Sequence, residues 1–194
     1  MKKQLITILF AVMAIAVAAQ NGISPKYGIG AVPVDNNGTV VFTQSYALPQ
    51  GLSQDECYDL LLNWAKGRFA KPYSYVGRIL NEDAQAHRFI FHVEELIVFK
   101  RNAVVADESR ITYNFSVVVN NEGITLKMTD IKYRYEEGRE GGGKAFSAEE
   151  WITDDEAFNR KKTKFLKSTG KFRIKTIDLK DALFEKANDI LNNK

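Results

Sequence analysis

From Tyr73 to Glu136 the apolar residues recur with a period of two, and a run of that length commits much of the chain to a sheet. Four strands can be drawn, over about residues 74–80, 86–100, 109–120 and 123–135. The third and fourth are the clearest. Ile111, Tyr113, Phe115, Val117 and Val119 line one face, and Asn120-Asn121-Glu122-Gly123 turns the chain back as a hairpin whose glycine accepts positive φ. On the return, Ile124, Leu126 and Met128 alternate, but the next apolar set, Ile131, Tyr133 and Tyr135, is offset by one residue. A one-residue slip in a period of two marks a bulge, here expected at Thr129-Asp130.

The flanks read as helix and strand. Val40, Phe42 and Tyr46 suggest a first strand, ended by Pro49 and Gly51. Ser53 then stands as an N-cap with Glu56 as its capping-box partner, and Leu52 and Cys57 are spaced as a hydrophobic staple. Leu60, Leu61, Trp64 and Ala65 give this helix an apolar stripe. Glu137 to Lys144 is charged and glycine-rich and reads as a solvated loop. Two further capping boxes, Ser147 with Glu150 and Thr153 with Glu156, predict one or two helical pieces. Asp178 is the expected N-cap of a last helix carrying Leu179, Leu183, Phe184, Ala187, Ile190 and Leu191 on one face.

Ahead of all this, Met1-Lys2-Lys3, the apolar run Leu5 to Ala19 and the string Ala16-Val17-Ala18-Ala19 form the pattern of a secretory signal peptide, with cleavage expected after Ala18 or Ala19. The run is short of the roughly 20 residues that span a bilayer. The expected organisation is a signal peptide over 1–19, an extended segment over 20–37 that orders by docking, and one domain over 38–194. Removal of residues 1–19 takes two lysines and no acids, leaving 25 basic against 24 acidic residues. A chain so balanced has no general attraction for nucleic acid or anionic membrane. Cys57, the single cysteine, cannot form an internal disulfide, so stability must come from packing.

The order strand, helix, four strands, helix is an α+β layout, a curved, mostly antiparallel sheet with helices on one face. The chain resembles a family of exported bacterial proteins of unknown function whose domain has a TATA-binding-protein-like (TBP-like) fold with that order. The resemblance rests on Gly38-x-Val40-Val41-Phe42, Gly51-Leu52-Ser53, Tyr58 with Trp64, and Trp151 upstream of Lys175-x-Ile177-Asp178, and it covers about residues 33–192. These are scaffold positions. They transfer no catalytic residue, and likeness of fold does not import DNA binding.

The motifs that could carry chemistry fall short one by one. Gly138 to Ala145 follows the phosphate-loop pattern as far as Lys144, but Ala145 stands where a hydroxyl would hold magnesium. His87 and His92, near Glu94 and Glu95, lie five apart on one expected strand and so face opposite ways, which denies them a shared metal ion. Adjacent carboxylates, Glu94-Glu95 and Glu136-Glu137, diverge for the same reason. Cys57 sits where apolar packing is expected rather than nucleophilic chemistry. Arg160 to Lys175 holds eight basic residues and no acid. Asp154, Asp155 and Glu156 at the start of an expected helix, with Lys164 and Lys167 toward its end, read as a face matched to the helix dipole. Asn37-Gly38-Thr39 and Asn114-Phe115-Ser116 match the glycosylation sequon by accident in a bacterial export context.

The sequence therefore predicts an exported, non-enzymatic binding or interaction domain, periplasmic or extracellular, with no catalytic residue, cofactor or metal assigned. Its partner is an envelope protein or a small ligand, with no nucleic acid and no membrane segment after signal cleavage. Two alternatives stay open: a carrier of an apolar ligand between the sheet and the last helix, and an envelope hydrolase or transferase whose site only the fold assembles. An apolar pocket favours the carrier, and a cleft of convergent titratable groups favours the enzyme.

Overall fold

The computed structural model describes residues 22–102, 106–138 and 141–192. The expected signal peptide lies outside them, as do Arg139 and Glu140 of the glycine loop. In chain order the elements are β1 (Phe42–Tyr46), α1 (Gln54–Arg68), β2 (Val76–Asp83), β3 (Arg88–Arg101), β4 (Ala106–Asn120), β5 (Gly123–Tyr135), β6 (Lys144–Ser147), α2 (Asp154–Ala157) and α3 (Thr169–Asn192). The strands pair antiparallel in the order β1-β5-β4-β3-β2, and β6 pairs with the far end of β5. This is the TBP-like α+β architecture, and no helix among the described residues is long and apolar enough to cross a membrane.

Alternation decides which face each side chain takes. Phe89, Phe91 and Val93 of β3, with Ile111, Tyr113, Phe115, Val117 and Val119 of β4, are buried on the face that receives both long helices. The ring of Phe115 meets Trp64 of α1 at 5.8 Å and Phe184 of α3 at 6.2 Å, which places the two helices on the same side. The other face carries Arg78, Ile90, His92, Glu94, Asn114 and Lys127 and, among the described residues, is covered by no helix. On β5 the inward set changes from Ile124, Leu126 and Met128 to Ile131 and Tyr133. The ladder pairs Thr112 with Lys132 and Asn114 with Thr129, so Asp130 and Ile131 together oppose Tyr113. The bulge thus includes Asp130, at φ 51°, and sits one residue beyond the expected Thr129-Asp130 step.

At the head of α1 the reciprocal box forms as the sequence predicts, with the Glu56 N–H donating to Ser53 Oγ at 3.2 Å and the Ser53 N–H donating to Glu56 Oε2 at 2.9 Å. Cys57 is buried, and Leu52 packs against the core. The hairpin glycine is required twice over. Gly123 has φ 138°, and a Cβ there would fall 2.3 Å from the Tyr46 carbonyl oxygen. The first strand is shorter than expected because Val40 leaves it to bridge Val34.

Beyond β5 the outcome departs from the sequence reading. The glycine loop ends in a strand, β6, rather than leading to a helix. The Ser147 and Glu150 bonds do form, at 3.0 and 3.3 Å, but they close a turn in which Trp151 stacks on Phe146 at 3.7 Å. Thr153 Oγ1 donates to the Glu149 carbonyl at 3.3 Å instead of capping, and α2 is one turn long. Lys164 and Lys167 lie past its end, so the dipole explanation of the basic run does not hold. The last helix begins at Thr169, nine residues before Asp178. Gly170 makes that start possible, since a Cβ there would lie 2.5 Å from Phe165 Cβ. Phe172 and Ile177 join Leu183, Phe184, Ala187 and Leu191 on one buried stripe.

Asp178 is freed from capping and serves a different purpose. Its carboxylate accepts from Tyr27 Oη at 2.7 Å and pairs with Lys26 at 2.8 Å, tying the segment after residue 22 to α3. Arg173, fully buried, completes the strap by donating to the carbonyls of Tyr27, Gly28 and Ile152 and to Asp154. The basic run is therefore partly interior, with Arg173 and Lys171 each engaged by acceptors from other parts of the fold.

Candidate functional site: a charge-lined cleft at one end of the sheet

The end of β3, the start of β4 and the end of β5, paired side by side, border a cleft of about 520 Å³. Its lining is Leu96, Ala106, Tyr135 and Gly138 with the charged groups Asp107, Glu108, Arg110, Arg134, Glu136 and Glu137. Alternation again explains the placement. Arg110 and Arg134 are register partners on the helix-free face, and Asp107 points the other way, toward α3.

The charges are interlocked. Arg110 donates through Nε to Glu137 at 2.9 Å and through an Nη to Glu94, while Tyr75 lies over its guanidinium at 5.1 Å. These two carboxylates hold Arg110 above its ordinary range, Glu94 contributing most. Arg134 approaches Glu137 at 3.5 Å, and Arg101 pairs with Glu108. On the inner side Lys171 Nζ donates to both oxygens of Asp107 at 2.7 Å and to Tyr135 Oη at 2.8 Å, over the rings of Phe99 and Tyr135. Burial pushes Asp107 up, but the hydrogen bonds from Lys171 and Tyr135 and the lysine charge outweigh it and keep the carboxyl below the usual value. Burial likewise draws Lys171 down and is overcome by Asp107 and Tyr135, so the ammonium is held more firmly than usual.

The residues singled out from sequence do not assemble. His87 occupies the turn before β3 at φ 44°, with its Nε2 2.5 Å from Asp55, whereas His92 lies on the open face with Nδ1 3.0 Å from Asn114. No group of three or more metal-ligating side chains occurs among the described residues. Glu94 and Glu95 diverge as alternation requires. Glu94 reaches Arg110, and buried Glu95 pairs with Arg68 at 2.8 Å and accepts from Tyr113. Of the residues weighed in the sequence, Glu94, Glu136 and Glu137 belong to the cleft or its rim, while Asp107, Glu108, Arg110 and Arg134 gave no linear signal.

Comparison with known proteins bears on the whole arrangement. A family model described as a domain of unknown function (DUF4468) with TBP-like fold matches residues 48–134, from the approach to α1 through β5. A solved DUF4468 family protein from Bacteroides ovatus ATCC 8483 is 31% identical, with a TM-score of 0.76 over 86% of this chain and 93% of that one. The chain belongs to the DUF4468 family. A TBP-like protein from Parabacteroides distasonis ATCC 8503, 19% identical, superposes with a TM-score of 0.68 over 84% of this chain and 97% of that one, and shares the fold. No curated protein matches. The cleft of this DUF4468 member lies mostly within the matched span, with Tyr135 to Gly138 just beyond it.

Proposed function

We propose that the protein is an exported, non-enzymatic binding domain that works in the periplasm or outside the cell through the charge-lined cleft. The observation that carries this reading is the pairing of Arg110 and Asp107, which line the cleft, with Glu94, Glu137 and Lys171. Asp107 is driven toward the anion, and Lys171 and Arg110 toward the cation, the opposite of the poised, easily titrated groups that acid–base catalysis requires near neutral pH. A convergent set of charges would by itself favour the hydrolase or transferase alternative. Pairing removes that support, because a proton held by Lys171 or withheld by Asp107 cannot be exchanged at low cost. The carrier alternative requires space between the sheet and α3, which Phe115, Phe184, Tyr133 and Phe172 fill with ring pairs at 5.1 and 6.2 Å. Nucleic acid is a poor fit, since the basic groups near the cleft face Glu94, Glu108 and Glu137. The signal-like N-terminus supports export. The purified domain, offered chromogenic ester, amide, glycoside and phosphomonoester substrates, should show no turnover above buffer. Turnover abolished by Asp107→Asn would overturn the reading.

A further inference from the structure

We propose that the cleft takes a neutral carbohydrate, an inference that rests on the binding reading above. Its volume of about 520 Å³ falls in the range that accommodates a small ligand. What selects the ligand class is the state of the charges. A ligand carboxylate aimed at Arg110 would have to displace Glu94 or Glu137, and a ligand ammonium aimed at Asp107 would have to displace Lys171. Either exchange breaks a pair that is already formed and partly desolvated, and so offsets much of what the new contact would return. A hydroxyl group does neither. It donates to a spare lone pair of a carboxylate and accepts from a guanidinium N–H at the same time, and a carboxylate beside an arginine fork offers both kinds of partner in fixed geometry.

The apolar part of the site fits the same ligand. A sugar ring has hydroxyls on its rim and C–H groups on its faces, so it needs a flat apolar plate beside its polar partners. Tyr75, outside the cleft lining but beside Arg110 at its edge, supplies that plate. Its ring is held by the guanidinium of Arg110 and is still half exposed, while Leu96 and Ala106 add apolar lining. No other charged group in the cleft has an exposed ring laid over it among the described residues.

The test is an amide-resolved NMR titration of the isotopically labelled protein. The neutral probes are cellobiose, maltotriose, xylotriose and chitobiose, and the charged probes are acetate, glycine and galacturonate. At least one neutral sugar should shift the amides of Leu96, Asp107 to Arg110 and Arg134 to Gly138 saturably. Tyr75→Ala should weaken that binding by about tenfold with the thermal midpoint unchanged. Stronger saturation of the cleft by a charged probe would overturn the carbohydrate assignment and leave the binding reading standing. A neutral sugar that binds and is hydrolysed would uphold the assignment and defeat the non-enzymatic reading. No perturbation of the cleft by any neutral sugar, or perturbation confined elsewhere, would overturn the proposal.

Discussion

The side chain of Arg173 donates through Nε to the backbone carbonyl of Tyr27 at 2.9 Å, joining α3 to a segment 146 residues earlier. The guanidinium is fully buried and its other donors reach Gly28, Ile152 and Asp154. Arg173→Leu would remove a donor from three carbonyls and a carboxylate, of which the Gly28 carbonyl and Asp154 keep the N–H groups of Ala31 and Gly30. Breaking a buried, hydrogen-bonded charge network in this way costs about 3–5 kcal/mol. Chemical denaturation should show a loss of that size, together with faster proteolysis near residues 22–30. A variant as stable and as protease-resistant as the parent would mean that the strap does not hold the fold.

The strap also gives stability an acid limit. Burial pushes Asp178 up, but hydrogen bonds from Lys26 and Tyr27 and the lysine charge outweigh it, so its folded-state value lies below the ordinary carboxylate value of about 3.9. A lowered carboxyl contributes stability that is complete above the unfolded value and disappears as pH falls through the folded one. Urea midpoints should therefore be flat above about pH 5 and fall toward about pH 3, with a shallower acid slope in Asp178→Asn. An unchanged slope in that variant would remove Asp178 from the account.

Two glycines at either end of one connection make a paired test. A Cβ on Gly77 would fall 2.0 Å from the Phe69 carbonyl oxygen, while one on Gly67, inside α1, meets nothing within 4 Å. Gly77→Ala should destabilise by about 1–3 kcal/mol through overpacking. Gly67→Ala should stabilise by about 0.5–1 kcal/mol, as helix propensity dictates. Thermal melts of the two variants should move in opposite directions, and parallel shifts would refute the close approach of Gly77 to the Phe69 carbonyl.

Core and loop substitutions should separate just as clearly. Phe184 is 1% exposed beneath Phe115, so Phe184→Ala should cost about 3–5 kcal/mol. Trp64 is only half-buried on α1 and its replacement should cost less. Lys144 is exposed at the start of β6, and Lys144→Ala should stay within about 0.5 kcal/mol. A severe Lys144→Ala defect with a harmless Phe184→Ala would invert this reading and make the glycine loop the centre of function.

These contrasts follow the boundary between local and distant information in the chain. The capping box of α1 was legible because Ser53 and Glu56 satisfy each other within one turn, and the β5 bulge because a slipped period leaves its mark on consecutive residues. The start of α3 was not, since it depends on Phe165 packing where Gly170 has no side chain. The Ser147 and Glu150 pair reads as a helix start from sequence because the stacking of Trp151 on Phe146 depends on a strand that exists only by pairing with β5. The cleft was hidden for the same reason. Arg110 meets Glu94 from 16 residues away and Glu137 from 27, distances that only the sheet register closes.

The most direct test of the central claim is the titration of the Asp107 carboxyl, followed by carbon-detected NMR in the intact protein and in Lys171→Met. With Lys171 present, Asp107 should titrate below the ordinary carboxylate value, and loss of the lysine should raise it, since only the Tyr135 hydrogen bond then remains to oppose burial. A parent carboxyl that titrates near neutrality would be a ready general acid, and the non-enzymatic reading would fall.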